Sequence, residues 1–235
     1  MQVDKIDDTS SVISVIIPTL NEAELLKETI ENIKDAEAIE VIVVDGGSKD
    51  ETLSIAGDLA DQVFSSVPSR GGQMDIGAEK ATGEILLFLH ADTHLPMGWE
   101  SKIRNAIRSG KTGGAFNLSV SSPDKYLWLV ALMANFRSKI LGITYGDQAI
   151  FAEKEAFFNA GGFKRLALFE DIDLWRRLKK CGPLVILRDA VCTSHRKWKS
   201  EGSIKNTLKN WSLIILYYFG FPPKMLYNFY YNKGG

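Results

Sequence analysis

The sequence predicts an α/β protein with a mixed, mainly parallel sheet flanked by helices. Short apolar runs alternate with amphipathic stretches along the first half of the chain, which is typical of β-α-β units. Two runs, VIVV and ILLFL, are continuously apolar, which indicates strands that are covered on both faces. Ligands of such sheets bind beyond the carboxyl ends of the strands. The residues that follow each strand are therefore the candidates for a binding site.

The first half of the chain contains four predicted strands. They are SVISVIIP, which ends at Pro18, then IEVIVVD, the weaker DQVFSS, and GEILLFLHAD. Each is followed by a predicted helix: NEAELLKETIENIKD, a segment that runs through Ala60, RGGQMDIGAEKAT and MGWESKIRNAIRSG. One face of the first helix carries Leu25, Leu26, Ile30 and Ile33, as an amphipathic helix requires.

The second half is less regular. TGGAFNLSV and PLVILRDAVCTSHRKW are strand-like, and FEDIDLWRRLKKCG predicts a helix with acids at its start and bases at its end. DKYLWLVALMANFRSKILG predicts a long apolar helix, which belongs either to the core or to a hydrophobic binding surface. We expect one domain over residues 12–200, a flexible N-terminus over 1–11, and an aromatic-rich helical extension over 201–235.

Composition excludes several classes of protein. The chain has 235 residues, 45% of them hydrophobic, which suffices for one large core. The formal net charge of −1 gives no basic field for nucleic acid. Cys181 and Cys192 have no metal-finger spacing and are expected to be thiols in a reducing compartment. The acidic start does not resemble a signal peptide, and the apolar run WSLIILYYFGF is too short to span a bilayer. We expect a cytoplasmic protein, with contact to the cytoplasmic face of a membrane as an alternative.

Polar residues follow two buried strands. Asp45 and Gly46 come after VIVV, where a carboxylate can accept hydrogen bonds from a ribose or a base and glycine lets the backbone approach a ligand. A plain Asp-Gly turn is the alternative. Asp92 comes after ILLFL and is placed to bind Mg²⁺ or Mn²⁺, which take one or two carboxylates together with phosphate oxygens and water. The alternative for Asp92 is a cap of the next loop.

Three further groups are candidates. Glu170 and Asp171 open a helix, where Asp171 could act as a general base with support from Glu170, or both could simply favour the helix dipole. Arg70, before Gly71, could reach a phosphate together with the amides of a helix start. His195 opens a cationic cluster that could hold a metal or a phosphate, or be a solvated surface.

Three well-known motifs are absent from the sequence. There is no GxxxxGK[ST], no GxGxxG after the first strand and no GxSxG. A P-loop nucleotidase, a dinucleotide-binding domain of the common type and an α/β-hydrolase are therefore disfavoured.

Four segments together resemble the family 2 glycosyltransferases. They are SVIIPTLNEAELLKETIENI, EVIVVDGGSKDET, GEILLFLHADT and FEDIDLWRRL, in that order, and the likeness covers residues 12–200. GDQAIF, GGF and SHRKW are similar, more narrowly, to a small bacterial group of arsenosugar-biosynthesis or radical-SAM/selenodomain-associated glycosyltransferases. The resemblance implies a GT-A fold, a nucleotide-diphospho-sugar donor with UDP as the default, a divalent cation, and inverting transfer to a hydroxyl acceptor.

The resemblance also implies roles for individual residues. The nucleotide and donor site would be lined by Pro18, Thr19, Asn21, Glu22, Asp45, Gly46, Arg70, Gly71, Ala91 and Asp92. Asp92 matches the last aspartate of the family's DxD motif and Asp171 its catalytic base, while His195 lies near a late metal- or phosphate-contacting position. The motif here is HAD, so His90 replaces the first carboxylate, which should weaken a site for a hard cation.

The sequence does not identify the acceptor. Asp147 and Gln148 could hydrogen-bond acceptor hydroxyls, or form a turn with an aspartate cap. The aromatic and lysine-rich C-terminal region suits a membrane surface and a homodimer contact equally, so the acceptor is either a lipid-linked or a small soluble molecule. The alternatives to transfer are a degenerate nucleotide-binding homologue without turnover and, less favoured, a sugar nucleotidyltransferase, because IIPTLNEAE lacks the glycine-rich basic signature of that class.

Overall fold

A computed structural model describes residues 11–122, 125–166, 168–194, 212–213, 216–217 and 219–231. The strands of this described part are β1 (Ile13–Thr19), β2 (Ile39–Asp45), β3 (Gln62–Ser65), β4 (Ile85–Phe88), β5 (Thr93–His94), β6 (Gly113–Ser121), β7 (Phe151–Glu153) and β8 (Leu184–Ser194). They form one sheet in the order β3-β2-β1-β4-β7-β6-β8-β5.

Seven of the helices in the described residues lie between these strands, and the eighth follows β8. They are α1 (Ala23–Ile33), α2 (Thr52–Leu59), α3 (Arg70–Lys80), α4 (Trp99–Arg108), α5 (Lys125–Phe136), α6 (Lys154–Asn159), α7 (Glu170–Cys181) and α8 (Pro223–Tyr231). A π-helical turn, Arg137–Leu141, extends α5, and a 3₁₀ turn spans Gly146–Gln148.

The sheet is mixed and mainly parallel, which confirms the predicted fold class. β1 pairs in parallel with β2 and β4, and β2 pairs in parallel with β3. The short strand β7 runs antiparallel between β4 and β6, while β6 and β8 are again parallel. The carboxyl ends of β1, β2 and β4 therefore meet at one edge of the sheet.

Helices cover both faces of the sheet. Along β1, Val15 and Ile17 pack into a core with α1, α2 and α4, whereas Ile16 packs on the opposite side with α3, α6 and α7. The central strands β1, β2 and β4 are buried on both faces. This arrangement explains why VIVV and ILLFL are continuously apolar.

Glycine permits the close packing of α3 on β1. A Cβ added at Gly77 would overlap the Ile16 side chain. Helix α3 therefore lies nearer to the sheet than a larger residue would allow, and its first turn reaches the ends of β1 and β2. Within the described residues, no helix is long and apolar enough to cross a membrane.

Candidate active site

A cavity of about 450 Å³ opens at the carboxyl ends of β1 and β4. Its wall contains residues from the end of β1, the start of α3, the segment after β4, the start of α7 and helix α8. The lining residues are Pro18, Thr19, Leu20, Glu22, Pro68, Ser69, Arg70, Gly71, Gln73, His90, Ala91, Asp92, Leu166, Leu168, Glu170 and Tyr227.

The end of β2 supports the cavity from behind. The Asp45 side chain is fully buried, and its carboxylate accepts hydrogen bonds from Thr19 Oγ1 (3.1 Å), from the Gly47 amide (2.8 Å) and from both the amide and the hydroxyl of Ser48. The Gly46 amide donates to the Thr19 carbonyl at 2.8 Å. Asp45 and Gly46 thus fix the loop beside the cavity, and a contact of Asp45 with a base or ribose stays a prediction.

Gln73 joins the two strand ends. Its side-chain nitrogen donates to the Thr19 and Val44 carbonyls, each at 2.8 Å, and its oxygen accepts from the Ser69 amide at 3.3 Å. The residue is buried and lines the cavity. Gln73 was not predicted from the sequence, although a glutamine on an otherwise apolar helix face was a usable signal.

The first turn of α3 brings positive charge to the cavity. Ser69 accepts from the Gly72 amide and caps the helix, which follows the usual preference for serine at that position. Arg70 comes next, with its side chain 48% exposed and its Nη1 3.7 Å from Glu170 Oε1. A guanidinium and a helix N-terminus side by side suit an anion such as a phosphate.

The segment after β4 is held by backbone contacts. The Ala91 carbonyl accepts from Thr29 Oγ1 at 2.7 Å, and the Asp92 carbonyl accepts from the Ser194 amide at 3.0 Å. One Asp92 carboxylate oxygen accepts from Thr93 Oγ1 at 3.3 Å. These contacts hold the segment His90–Asp92 in position at the cavity wall.

Asp171 lies beside the cavity, at the start of α7. Its Oδ2 accepts from the Gly146 amide at 2.7 Å and its Oδ1 from the Ile172 amide at 2.7 Å. A Cβ added at Gly146 would lie 2.9 Å from His90 Nε2 and 3.5 Å from Asp171 Oδ2. The fold therefore brings His90, from the HAD segment, close to the predicted base, and the missing side chain at position 146 makes room for both.

Glu170 is the titratable group that the site perturbs most clearly. Burial, first, and the neighbouring Asp171 charge, second, raise the pKa of Glu170 from 4.5 to about 7, against the opposing charge of Arg70. Between about pH 4.5 and pH 7 the Glu170 carboxyl group therefore keeps a proton that an ordinary glutamate has lost, next to the Asp171 carboxyl group. Carboxyl pairs whose surroundings differ in this way are typical of acid–base sites.

The donor set at the cavity fits a divalent cation that is shared with a substrate. Among the described residues no three His, Cys, Asp or Glu side chains cluster as a complete metal site. Mg²⁺ and Mn²⁺ do not need one, because one or two carboxylates with phosphate oxygens and water suffice. Asp92, at the cavity wall, would be the protein ligand.

The structure brings most of the predicted donor-site residues together. The cavity wall includes Pro18, Thr19, Glu22, Arg70, Gly71, Ala91 and Asp92 of this set, together with Glu170, which was predicted as a catalytic residue. Asn21 lies just outside it, with a φ of 54° and its side-chain oxygen accepting from the Lys49 amide. His195 lies outside the described residues, so its predicted role stays untested.

The two predicted acceptor residues are placed differently. Asp147 is half-buried in the 3₁₀ turn next to Gly146. Gln148 is fully buried, and its nitrogen donates to the Phe116 carbonyl (2.9 Å) and to Ser138 Oγ (3.0 Å). The structure thus does not bring Gln148 to the cavity, and acceptor binding by this pair stays a prediction.

Leu166, Leu168 and Tyr227 were not predicted as site residues. Tyr227 comes from α8, more than fifty positions after Asp171, so no local pattern could have indicated it. Phe169, with a φ of 66° directly before Glu170, packs on the Tyr217 ring with 5.0 Å between centroids. The C-terminal extension therefore contributes to this wall.

The sheet has a polar cavity at the carboxyl edge of its parallel strands, with an arginine at a helix start and a carboxylate pair beside it. This arrangement is that of an α/β protein of the GT-A type. The family model of glycosyl transferase family 2 matches residues 14–166. The chain belongs to this family, as the sequence motifs indicated. This match does not extend to the narrower assignment to the arsenosugar or radical-SAM group.

Two curated relatives match parts of the chain. Glycosyltransferase AglD of Haloferax volcanii is 32% identical over 117 residues, which cover 44% of this chain and 19% of that protein. The PGL/p-HBAD biosynthesis glycosyltransferase of Mycobacterium bovis is 40% identical over 91 residues, which cover 35% of this chain and 36% of that protein. The chain therefore matches well under half the length of these relatives.

Two solved structures share the fold. Mannosyltransferase PcManGT from Pyrobaculum calidifontis, in complex with GDP-Man and Mn²⁺, aligns with a TM-score of 0.59 and 24% identity over 88% of this chain and 61% of that chain. S. aureus TarS 1-349 in complex with UDP aligns with a TM-score of 0.60 and 16% identity over 78% of this chain and 60% of that chain. At these identities the likeness establishes the GT-A fold.

Proposed function

We propose that this protein is an inverting glycosyltransferase that moves a sugar from a nucleotide-diphosphate donor, with UDP as the first candidate, to a hydroxyl of an acceptor. The observation that carries the proposal is the cavity itself. It joins the end of β1, Arg70 and Asp92 in one wall, with Glu170 and Asp171 at its edge. The solved relatives in complex with UDP and with GDP-Man supply the two nucleotides to test.

The donor diphosphate would lie between Arg70 and Asp92. Arg70 and the positive end of α3 offer a guanidinium and backbone amides to an anion. A divalent cation, Mg²⁺ or Mn²⁺, held by Asp92, would neutralise the charge that develops on the leaving diphosphate. The base and ribose would extend along the Pro18–Glu22 segment towards the loop that Asp45 holds.

Asp171 would be the general base. In this proposal the acceptor hydroxyl gives its proton to the Asp171 carboxylate, while its oxygen forms a bond to the anomeric carbon. The bond between that carbon and the diphosphate oxygen breaks, and the diphosphate leaves with the electron pair. One displacement inverts the anomeric centre, so no second nucleophile is needed. The two amides that donate to Asp171 fix the orientation of the carboxylate.

The catalytic unit of this proposal is the domain over residues 12–200. GDQAIF and GGF support an assignment to the arsenosugar or radical-SAM group, but this assignment names no acceptor. Tyr217 packs on Phe169, directly before α7, and Tyr227 lines the cavity. These contacts support a role for residues 201–235 in completing the site.

Nucleotide release from sugar donors tests the proposal. UDP-glucose, UDP-N-acetylglucosamine and GDP-mannose are each incubated with the protein and Mn²⁺. Water then takes the place of the acceptor hydroxyl as the nucleophile, and the nucleotide released by this hydrolysis is measured. We expect release from one donor, and a loss of about a hundredfold or more in Asp171→Asn. Asp58→Asn, the same change at an exposed site on α2, is the matched control.

Each contrary result has a definite meaning. Wild-type protein that binds a nucleotide but releases none from any sugar donor would favour the degenerate binding homologue. Synthesis of a sugar nucleotide from a nucleoside triphosphate and a sugar phosphate would favour the nucleotidyltransferase. Equal release by Asp171→Asn would refute the choice of base.

A further inference from the structure

Helix α5 and the π-helical turn after it present an apolar face to solvent. Trp128, Phe136 and Ile140 are 67%, 61% and 66% exposed. Spacings of eight and four residues place these side chains along one side of the segment. We call this surface the α5 face; it consists of Trp128, Leu129, Leu132, Met133, Phe136 and Ile140.

The opposite side of α5 is buried in the protein. Leu127, Ala131 and Ala134 are buried there, and Asn135 hydrogen-bonds both the amide and the carbonyl of Leu118 in β6. The helix is therefore fixed on the sheet. The α5 face is exposed although the other side of the same helix already packs in the core. The sequence left core and binding surface as alternatives for this helix, and the structure shows that one side is core.

The segment 125–146, which carries the α5 face, has only basic charged residues, and Asp124 and Asp147 lie directly outside it. Residues 125–146 contain no aspartate or glutamate. Lys139 is exposed in the same turn as Ile140, and Lys179 Nζ donates to the Gly142 carbonyl at 3.0 Å, which places a second ammonium at the end of the segment. Exposed aromatic and aliphatic side chains bordered by lysines suit an anionic lipid surface, where apolar groups enter the interface and ammonium groups meet the headgroups.

Contact with a second copy of the chain fits these charges less well. A two-fold contact would place the same face of both copies together. The lysines would then approach each other, and residues 125–146 carry no carboxylate to neutralise them. A bilayer with anionic headgroups meets no such repulsion.

The same segment leads directly into the site. Gly146 follows the π-helical turn by five residues and donates its amide to Asp171 at 2.7 Å. The α5 face thus belongs to the chain segment that ends at the proposed base.

We propose that the α5 face docks on the surface of an anionic lipid bilayer. Docking would bring the Asp171 side of the cavity towards the headgroups, where a lipid-linked acceptor presents its hydroxyl; this last step rests on the proposed function, whereas the docking itself does not.

Sedimentation with vesicles tests the docking. The probes are vesicles of phosphatidylcholine alone and of phosphatidylcholine mixed with phosphatidylglycerol, without donor or acceptor. We expect wild-type protein to sediment with the anionic vesicles, less at high salt, and the double variant Trp128→Glu/Phe136→Glu to lose partitioning by about tenfold or more. Met97→Glu, which places the same charge at a residue that is 95% exposed in another loop, should sediment like wild type.

Two results would overturn the proposal. One is wild-type protein that stays in the supernatant with both kinds of vesicle. The other is a dimer in solution that Trp128→Glu/Phe136→Glu converts to a monomer, which would assign the α5 face to a second copy. Thermal unfolding of the variants with and without nucleotide shows that they are folded. It also separates failure of docking from failure of the donor site.

Discussion

The substitution Glu170→Gln should change how the free energy of unfolding depends on pH. The Glu170 side chain is 8% exposed, and burial first, with the Asp171 charge second, raises its pKa from 4.5 to about 7. Between those two pH values the folded protein keeps a proton that the unfolded chain releases. The free energy of unfolding of wild type therefore contains a contribution that is greatest below about pH 4.5 and is lost as the pH rises towards 7.

The difference between the two pKa values sets the magnitude. At about 1.4 kcal/mol per pH unit, the contribution amounts to about 3 kcal/mol. Glutamine has a similar shape but does not titrate. Relative to Glu170→Gln, wild type should thus lose about 3 kcal/mol of stability between pH 4 and pH 8.

Urea unfolding of both proteins across this pH range measures the effect. Glu31→Gln, at an exposed position on α1, controls for the general loss of a carboxylate. Parallel stability curves for wild type and Glu170→Gln would refute the reasoning, because Glu170 would then titrate alike in the folded and unfolded states.

Three further predictions concern packing and support of the site. Gly77→Ala should destabilise the protein by about 1–3 kcal/mol, because its Cβ would overlap Ile16, whereas Gly57→Ala meets no described atom within 4 Å and should not destabilise; thermal unfolding compares them. Gln73→Leu should cost about 1–3 kcal/mol and weaken nucleotide binding, because two strand-end carbonyls lose their donor; calorimetry measures both. Gly146→Ala should lower nucleotide release more than stability, since its Cβ would press on His90.

The parts of the fold that depend on local pattern could be predicted from the sequence. Continuous apolar runs indicated β2 and β4, the mostly apolar run SVISVIIP indicated β1, and the order of these strands indicated where a site would form. The cavity accordingly includes Arg70 and Asp92, which lie next to predicted strand or helix ends.

Features set by distant contacts could not be predicted. Strand β7 lies antiparallel between β4 and β6. It has only three residues, which are too few to show an alternating pattern in the sequence. Tyr227 reaches the cavity through the path of the C-terminal chain, and Gln73 through the packing of α3. The burial that raises the pKa of Glu170 likewise arises only when α7 and α3 meet.

Nucleotide binding with and without Mn²⁺ tests the central claim most directly. Thermal unfolding of wild type and Asp92→Ala is followed with UDP and with GDP. We predict that one nucleotide at about 100 times its dissociation constant adds about 2.7 kcal/mol of stability in wild type when Mn²⁺ is present, and that Asp92→Ala loses this gain. Wild-type protein that no nucleotide stabilises under any condition would contradict the assignment of the cavity as a donor site.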